Sequence, residues 1–507
     1  MHGGIFVFLI PETNVVKKDW RKVELKIALC YPNVYRAGMT GLTIQLLYSL
    51  FNSREDVVCE RFFLPTKEDP LLSLESNQPL KQFDIIAFTL QYEEDYFNTI
   101  KILLDANIKI NKADRNFKPL IVAGGPCSTQ NPFPLRDFID LFLIGELEPV
   151  FDEFIDELKN SVREKTVENF ENKPGFFTQN KGRRIFIKNL NDAPHPIAQI
   201  LPNVKHSSPY MPVWGKTFTV EAIRGCPRAC KFCLATQIVS PKRERSLNKL
   251  KEIISDGVKF TGASKVSVVG AGIAFYSKLE ELCEYIVDDL ELQVSLPSLD
   301  VEELTENLIK LLVKGNERTI SLAPETGSES LRKSLGKKAS NKKIIDTAKT
   351  ALYHGIKNLK LYYIIGLPNE TLEDLHMTAE LSRKIAALGF RKRSIRLSLN
   401  PLIPKPHTQY HSYRFRTADY LKKAIVEIRK NLNDRRIEIE TLNLKHARIQ
   451  AVLSSGGPEL GELIYKTTYY CGGIAGWRKA LSEKRETEDA LIAKSYRENF
   501  WANIRII

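Results

Sequence analysis

Between His2 and His195 the chain has no histidine. That long interval offers no imidazole to a metal or cofactor. Anything bound there must be held by backbone, amide, hydroxyl, carboxylate or phenol groups. Methionine is scarce, with four in 507 residues, which excludes a methionine-rich adaptable groove as a binding device. No apolar run approaches the length needed to span a bilayer, so no membrane role is expected. The opening run Ile5-Phe6-Val7-Phe8-Leu9-Ile10 is too short and lacks a basic leader, so it does not read as a signal peptide. No second C-x2-C pair accompanies the one ending at Cys233, which removes the usual four-ligand zinc pattern.

Of eight cysteines, Cys226, Cys230 and Cys233 stand together, while Cys30, Cys59, Cys127, Cys283 and Cys471 are scattered singly. Scattered thiols argue against a disulfide framework and for a reducing, cytoplasmic setting. A hydrophobic content of 43% and a charged content of 27% describe an ordinary globular protein, and the length suits about two to three domains. Net charge is +13. Basic residues cluster at Lys181 with Arg183 and Arg184, Lys242-Arg243, Lys337-Lys338, Arg391-Lys392-Arg393 and Arg435-Arg436. Such a surface could steer toward RNA or another acidic partner. The plainer reading, a solvated lysine-rich surface, is preferred, because no RNA-binding module signature accompanies the charge.

Residues 24–31 read as a buried strand, a short apolar run ending in a turn. A helix follows through Leu42, Leu46, Leu47 and Leu50. Further strands are expected at 57–64, 84–90, 119–123 and 140–144. Alternating strands and helices imply a parallel doubly wound sheet, whose ligands lie beyond the strands' carboxyl ends. Tyr35, Gln91, Gly124, Gly125 and Gly145 fall at those ends. Residues 162–214 break the pattern. Pro194, Pro196, Pro202, Pro209 and Pro212 crowd there and suggest an ordered linker. From about 215 the alternation resumes, with strands expected at 217–222, 264–269, 292–296, 318–323, 359–365 and 395–399. Helical patterns lie at 276–290, 301–313, 341–354 and 371–388. Six β/α units suggest a partial barrel with its site at the carboxyl face. The tail is mixed, with helical stretches at 446–454, 459–467 and 487–500. The expected class is α/β, divided into 1–161, a linker at 162–214, a core at 215–430 and an extension at 431–507.

Ile223 to Cys233 carries the most specific chemistry. Thiolates at C-x3-C-x2-C on one tight loop can each hold one iron of a [4Fe-4S] cluster. A cube has four irons, so three ligands leave one open to an exogenous chelate. The amino and carboxylate groups of S-adenosylmethionine suit that position. Companions stand at the later strand ends: Gly270-Ala271-Gly272, Ser295 to Ser298, Ala323 to Glu329, Ile365-Gly366-Leu367-Pro368 and Leu402 to Thr408. Singly, each is more often structural than functional.

Together, and in this order, these motifs resemble the radical S-adenosylmethionine (radical SAM) superfamily from about 215 to 430. Glu325-Thr326-Gly327-Ser328-Glu329 and Pro404-Lys405-Pro406-His407-Thr408 look like its methylthiotransferase-like branch. The resemblance implies that Cys226, Cys230 and Cys233 ligate the cluster and that Gly270, Ser298, Glu325 and Gly366 contact S-adenosylmethionine. The first domain resembles Rossmann-like cobalamin-binding domains, which carry D-x-H-x-x-G after the first strand, then a Ser/Thr-rich strand end, then a Gly-Gly turn. Here Asn33 to Gly38, Thr89-Leu90-Gln91 and Gly124-Gly125-Pro126 stand at those places. Tyr35 replaces the histidine. Tyr35, Gln91, Gly124 and Gly125 are the implied cobalamin contacts, with the cobalt either open below or weakly touched by the phenol. The plainer reading is a domain that kept the fold without the cofactor.

The whole arrangement, over 24 to about 430, resembles the cobalamin-binding-domain radical SAM family. That implies an enzyme, a methyltransferase acting on an unactivated carbon. One electron from a donor such as ferredoxin or flavodoxin starts the cleavage of S-adenosylmethionine, and cobalamin relays the methyl group. The substrate, a protein side chain, an RNA base, or a lipid or small metabolite, stays open. The alternatives are a radical SAM enzyme without cobalt methyl transfer (methylthiotransferase-like or a rearrangement enzyme) and a non-catalytic Fe-S or RNA-binding adaptor. His407 and His411 could face substrate, although lone histidines more often pack or lie at the surface. Cys471, before Gly472-Gly473, could face the active site, although it reads more readily as a buried structural thiol.

Overall fold

Five parallel strands, β1 (Leu25–Tyr31), β2 (Val57–Phe63), β3 (Ile85–Thr89), β4 (Leu120–Gly124) and β5 (Leu141–Leu143), form the first sheet with an antiparallel edge strand β6 (Phe176–Phe177). Their order is β2-β1-β3-β4-β5-β6. Both faces of a parallel sheet are covered, which is why these strands read as unbroken apolar runs. Ile27, Leu29, Val57 and Ile85 meet Ile44 and Phe51 of the helix Leu42–Ser53, and Phe154 and Ile155 of the helix Phe151–Glu164, in one core. The order reverses between β1 and β3, and ligands of doubly wound sheets settle outside the strand ends at that point. The computed structural model describes residues 10–66 and 69–506, so the opening apolar run up to Leu9 lies outside the described residues.

Residues 162–214 are not a linker. They belong to the same compact unit as the first sheet, together with Ile253–Ala263 and the chain from Val452 onward. Leu201–Pro202 pairs antiparallel with Glu12–Thr13, and Gly182–Arg183 pairs in parallel with Ile504–Arg505. Buried Gln45 fastens the stretch further: its Nε2 donates to the Ile200 carbonyl at 2.8 Å, and its Oε1 accepts from the Ile200 N–H at 2.9 Å. Two-residue strands joined across such separations leave no periodic signal in sequence.

The second unit comprises Thr219–Glu252 and Ser264–Ala451. Strand β7 (Phe218–Arg224) lies between the short strand Arg243–Glu244 and β8 (Lys265–Gly270), and β9 (Gln293–Ser295) follows. A second sheet holds β10 (Thr319–Glu325), β11 (Asn358–Ile365), β12 (Ile395–Pro401) and β13 (Ile437–Thr441), all parallel. A parallel bridge between Leu299 and Leu322 joins the two sheets, giving the expected open, partial β/α barrel. Its helices carry clear end signals. Ser340 caps the helix Asn341–His354 by accepting from the Lys343 N–H, and Gly355 ends it at φ 110°. Thr371 and Asp374 form a capping box on Leu372–Ala386. The expected helix at 276–290 is a helix, Leu279–Glu284, followed by a π-helical turn, and the one at 301–313 spans Glu306–Lys314. Strand β13 extends the sheet beyond residue 430, where the sequence suggests its end. Among the described residues no helix is long and apolar enough to cross a membrane.

Candidate functional site

The three-cysteine loop leaves the carboxyl end of β7 through Gly225, whose φ is 89°. A side chain there would meet the Pro241 carbonyl at 2.4 Å, so only glycine makes this exit. The Lys231 N–H then donates to the Leu335 carbonyl at 3.0 Å, and the Lys231 carbonyl accepts from the Tyr410 N–H at 3.2 Å. Phe232 packs on an apolar cluster of Leu331, Leu335, Leu367, Leu402 and Tyr410. The aromatic residue beside the last cysteine is thus an anchor for the loop. Gly272 lies beside Cys226: a Cβ on Gly272 would sit 2.9 Å from the Cys226 sulfur. Arg228 pairs with Asp300 at 3.4 Å and lies over the Phe275 ring, 5.0 Å from its centre.

Cys230 is buried, and Cys226 and Cys233 are half-buried. Burial pushes the Cys230 thiol up to about 11, with Lys337 opposing and the neighbouring thiols and Glu325 adding to the rise. Burial likewise raises Cys226. Thiols so raised need a strong positive partner to remain thiolates, and iron supplies one. Among the described residues no three His, Cys, Asp or Glu side chains converge on a point where one metal ion could sit. That spacing bears on a mononuclear ion. A cube takes one thiolate per iron and needs no common point. The donor set and the glycine cradle at Cys226 fit the cube.

The other strand-end residues differ in how they are held. Gly270 has no side chain because a Cβ would meet the Ile223 carbonyl at 2.2 Å. Ser298 is exposed. Glu325 is buried at φ 64°, an uncommon conformation for a side-chain-bearing residue. Lys337 Nζ holds it at 2.9 Å and also donates to the Ala323 carbonyl at 3.0 Å. Gly366 donates its N–H to the buried Glu370 carboxylate at 2.5 Å. Burial raises Glu370 to about 7, against bonds from Gly366 and Tyr420. Glu370 carries no motif signal, and Lys337, which reads in sequence as part of a solvated basic cluster, is instead paired with buried Glu325. Buried Arg332 donates to the carbonyls of Pro324 and Ala339 at 3.0 and 2.8 Å and to that of Thr326, within the Glu-Thr-Gly-Ser-Glu turn.

At the switch point of the first unit, Gln91 Nε2 donates to Thr89 Oγ1 at 2.6 Å, and Asn33 Nδ2 donates to Asp95 Oδ1 at 3.0 Å. Burial lifts Asp95 to about 6. Gly125 turns at φ 102°, where a Cβ would stand 2.7 Å from the Leu90 carbonyl. Gly124 has ordinary space around it. These groups form a polar, glycine-lined edge. Tyr35 is not part of it. Its ring is buried, and its hydroxyl donates to Glu12 Oε1 at 2.7 Å. The same Glu12 pairs with fully buried Arg61 at 2.7 Å, and Arg61 pairs with Glu75 at 2.6 Å. The phenol expected as a weak lower contact is therefore committed to a buried ionic group. The softer candidates also settle. His411 Nδ1 lies 2.7 Å from the Thr408 carbonyl and donates to it. Cys471, expected to be buried, is exposed.

Two family models match: radical SAM proteins, N-terminal, over residues 43–178, and the radical SAM superfamily over residues 220–382. The uncharacterized protein MJ0966 of Methanocaldococcus jannaschii is 33% identical over 443 residues, covering 87% of this chain and 91% of the relative. The uncharacterized methyltransferase PH0819 of Pyrococcus horikoshii is 26% identical over 384 residues, covering 71% and 78%. The structure of the radical S-adenosylmethionine methyltransferase TsrM from Kitasatospora setae, with cobalamin and a [4Fe-4S] cluster bound, superposes with a TM-score of 0.58 at 12% identity, over 93% of this chain and 99% of that one. The chain belongs to the radical SAM superfamily, whose members use a [4Fe-4S] cluster and S-adenosylmethionine, and it has the fold of a member that carries cobalamin.

Proposed function

We propose that the protein is a cobalamin-dependent radical SAM methyltransferase acting on an unactivated carbon. In this reading the second unit holds the cluster on Cys226, Cys230 and Cys233, and the first unit holds cobalamin along the edge formed by Asn33, Gln91, Gly124 and Gly125. The observation that carries it is the pairing, in one chain, of a three-thiol loop at one strand end with a glycine-lined switch point in a separate doubly wound sheet. When bound, these groups supply reductive cleavage of S-adenosylmethionine and relay of a methyl group. The protein's own part is positioning. Phe232 and the Lys231 backbone bonds hold the cysteine loop in register with Leu335 and Tyr410. Lys337 places a positive charge near Cys230. Tyr35, whose hydroxyl is bound to Glu12, would not be free to ligate a bound cobalt. The electron comes from a ferredoxin- or flavodoxin-type donor.

Methylthiotransferase chemistry with a second, N-terminal cluster is disfavoured. Cys30 and Cys59 lie inside the paired strands β1 and β2, Cys59 within the apolar core, and Cys127 follows β4, so they share no single loop as Cys226, Cys230 and Cys233 do. The test is anaerobic reconstitution followed by iron, sulfide and corrin assay and by mass spectrometry for 5′-deoxyadenosine. Proteome and RNA mass spectrometry of a deletion strain against its parent, searching for a lost methyl mass, then identifies the substrate. A protein that retains no corrin under reducing conditions removes the methyltransferase reading and leaves the cluster reading standing.

A further inference from the structure

One basic cluster picked out in the sequence gains partners from the far end of the chain. In the first unit, Gly182–Arg183 and Ile504–Arg505 form a parallel pair, with Arg505 directly opposite Arg183. Their neighbours Gly182 and Ile504 face inward: a Cβ on Gly182 would lie 3.1 Å from Ile504 and 3.3 Å from Ile144. Side chains alternate along a strand, so Arg183 and Arg505 point outward together, and both are exposed. With Lys181, Lys173, Asn172 and Asn503 they line a groove of about 380 Å³. Lys173 is neutralised by Glu153 and Glu157, at 3.0 and 2.8 Å. Lys181, Arg183 and Arg505 have no acidic partner among the described residues. Like charges directly opposite on paired strands repel, and this ladder holds two arginines in that relation with no acid between them. An anion in the groove would relieve that repulsion.

We propose that this groove is a docking site for the phosphodiester backbone of RNA. Guanidinium forks match phosphate oxygens in bidentate geometry, and two of them side by side with a lysine suit successive phosphates. The net charge of +13 adds long-range attraction for a polyanion. The inference does not rest on the methyl-transfer reading, because the groove lies wholly within the first unit and involves none of the residues assigned to cofactors.

The test is fluorescence anisotropy of a labelled single-stranded RNA against the full-length protein across a salt series. Binding should weaken as salt rises. Each lost phosphate contact lowers the log–log slope by about 0.7, so Arg183→Gln/Arg505→Gln should lower it by about 1.4 with an unchanged far-ultraviolet circular dichroism spectrum. Lys181→Gln stands outside the strand pair, cannot disturb the ladder, and should lower the slope by about 0.7. Arg391→Gln/Lys392→Gln, in the second unit, should leave binding unchanged. Absence of RNA binding, an unchanged slope in the groove variants, or an equal loss in the second-unit variant would overturn the proposal. So would displacement of the RNA by equimolar pyrophosphate, which marks a small-anion site instead.

Discussion

The Tyr35 hydroxyl and Arg61 Nη1 meet on one carboxylate oxygen, Glu12 Oε1, at 2.7 and 2.9 Å. The phenol at the position of the family's histidine thus completes a buried ionic group in which one guanidinium faces Glu12 and Glu75. Burial and the Glu12 charge raise the phenol far above its ordinary range, so it stays neutral and donates. Tyr35→Phe removes one hydrogen bond while the ring keeps its contacts with Phe63 and Tyr210. The expected loss in urea unfolding is about 1.5–3 kcal/mol, because the acceptor is a carboxylate. Corrin retention and the cob(II)alamin paramagnetic resonance spectrum should match those of the unaltered protein, without nitrogen superhyperfine splitting. A spectrum that changes with this substitution would put the phenol back at the cobalt.

The parallel strands were legible because burial on both faces writes them as apolar runs, and the three cysteines because their spacing is chemical. What escaped depends on distant pairing. Glu12 and Arg61 are 49 residues apart, and nothing local in either announces the other. Strand β13, Ile-Glu-Ile-Glu-Thr, is half-exposed along its length at the sheet edge, so its alternation resembles a surface segment. The residues at 162–214 looked like a linker because their order comes from Gln45 and Glu12–Thr13, far upstream. At the candidate site, the glycines were found by position, but the partners that demand glycine there, such as Ile223 against Gly270, appear only in three dimensions.

The second prediction concerns Gly272. Its φ is 78°, and an added Cβ would stand 2.9 Å from the Cys226 sulfur. Gly272→Ala therefore strains the backbone and displaces a cluster thiol. We expect iron and sulfide content to fall several-fold, whereas Cys226→Ala, Cys230→Ala or Cys233→Ala should abolish 5′-deoxyadenosine formation. Cys283→Ala, a buried thiol on the helix Leu279–Glu284, should leave both intact. Retained cleavage in any of the three cysteine variants would remove the ligand assignment.

The third concerns the buried pair Lys337–Glu325. Lys337→Met would leave the Glu325 carboxylate buried without its cation. Breaking one side of a buried ion pair costs about 3–5 kcal/mol. Lys337→Met with Glu325→Gln should recover most of that loss, since the replacement pair carries no charge. Equal instability of the single and double variants in urea would mean that the loss comes from the Lys337 bond to the Ala323 carbonyl and not from an unpaired Glu325 carboxylate.

The last concerns Glu370, whose carboxyl accepts from the Gly366 N–H and, at 3.2 Å, from the Tyr420 hydroxyl. Burial outweighs those bonds and lifts it to about 7. An unfolded glutamate titrates near 4.3, so the native state binds this proton more tightly. Between about pH 4.5 and about 7 the native protein carries more of the proton than the unfolded chain does, and stability must fall as pH rises through that window. The full loss is about 4 kcal/mol, reached above pH 7 or so. Asp95 is raised to about 6 by burial and adds a slope of the same sign, so the informative quantity is a difference. Glu370→Gln keeps an oxygen to accept from Gly366 and removes the titration. Urea unfolding of both proteins at several pH values should show curves that converge toward acid and separate toward neutral pH, with the variant the more stable there. Parallel curves would mean that the carboxyl titrates at its ordinary value and is already ionised in the native site.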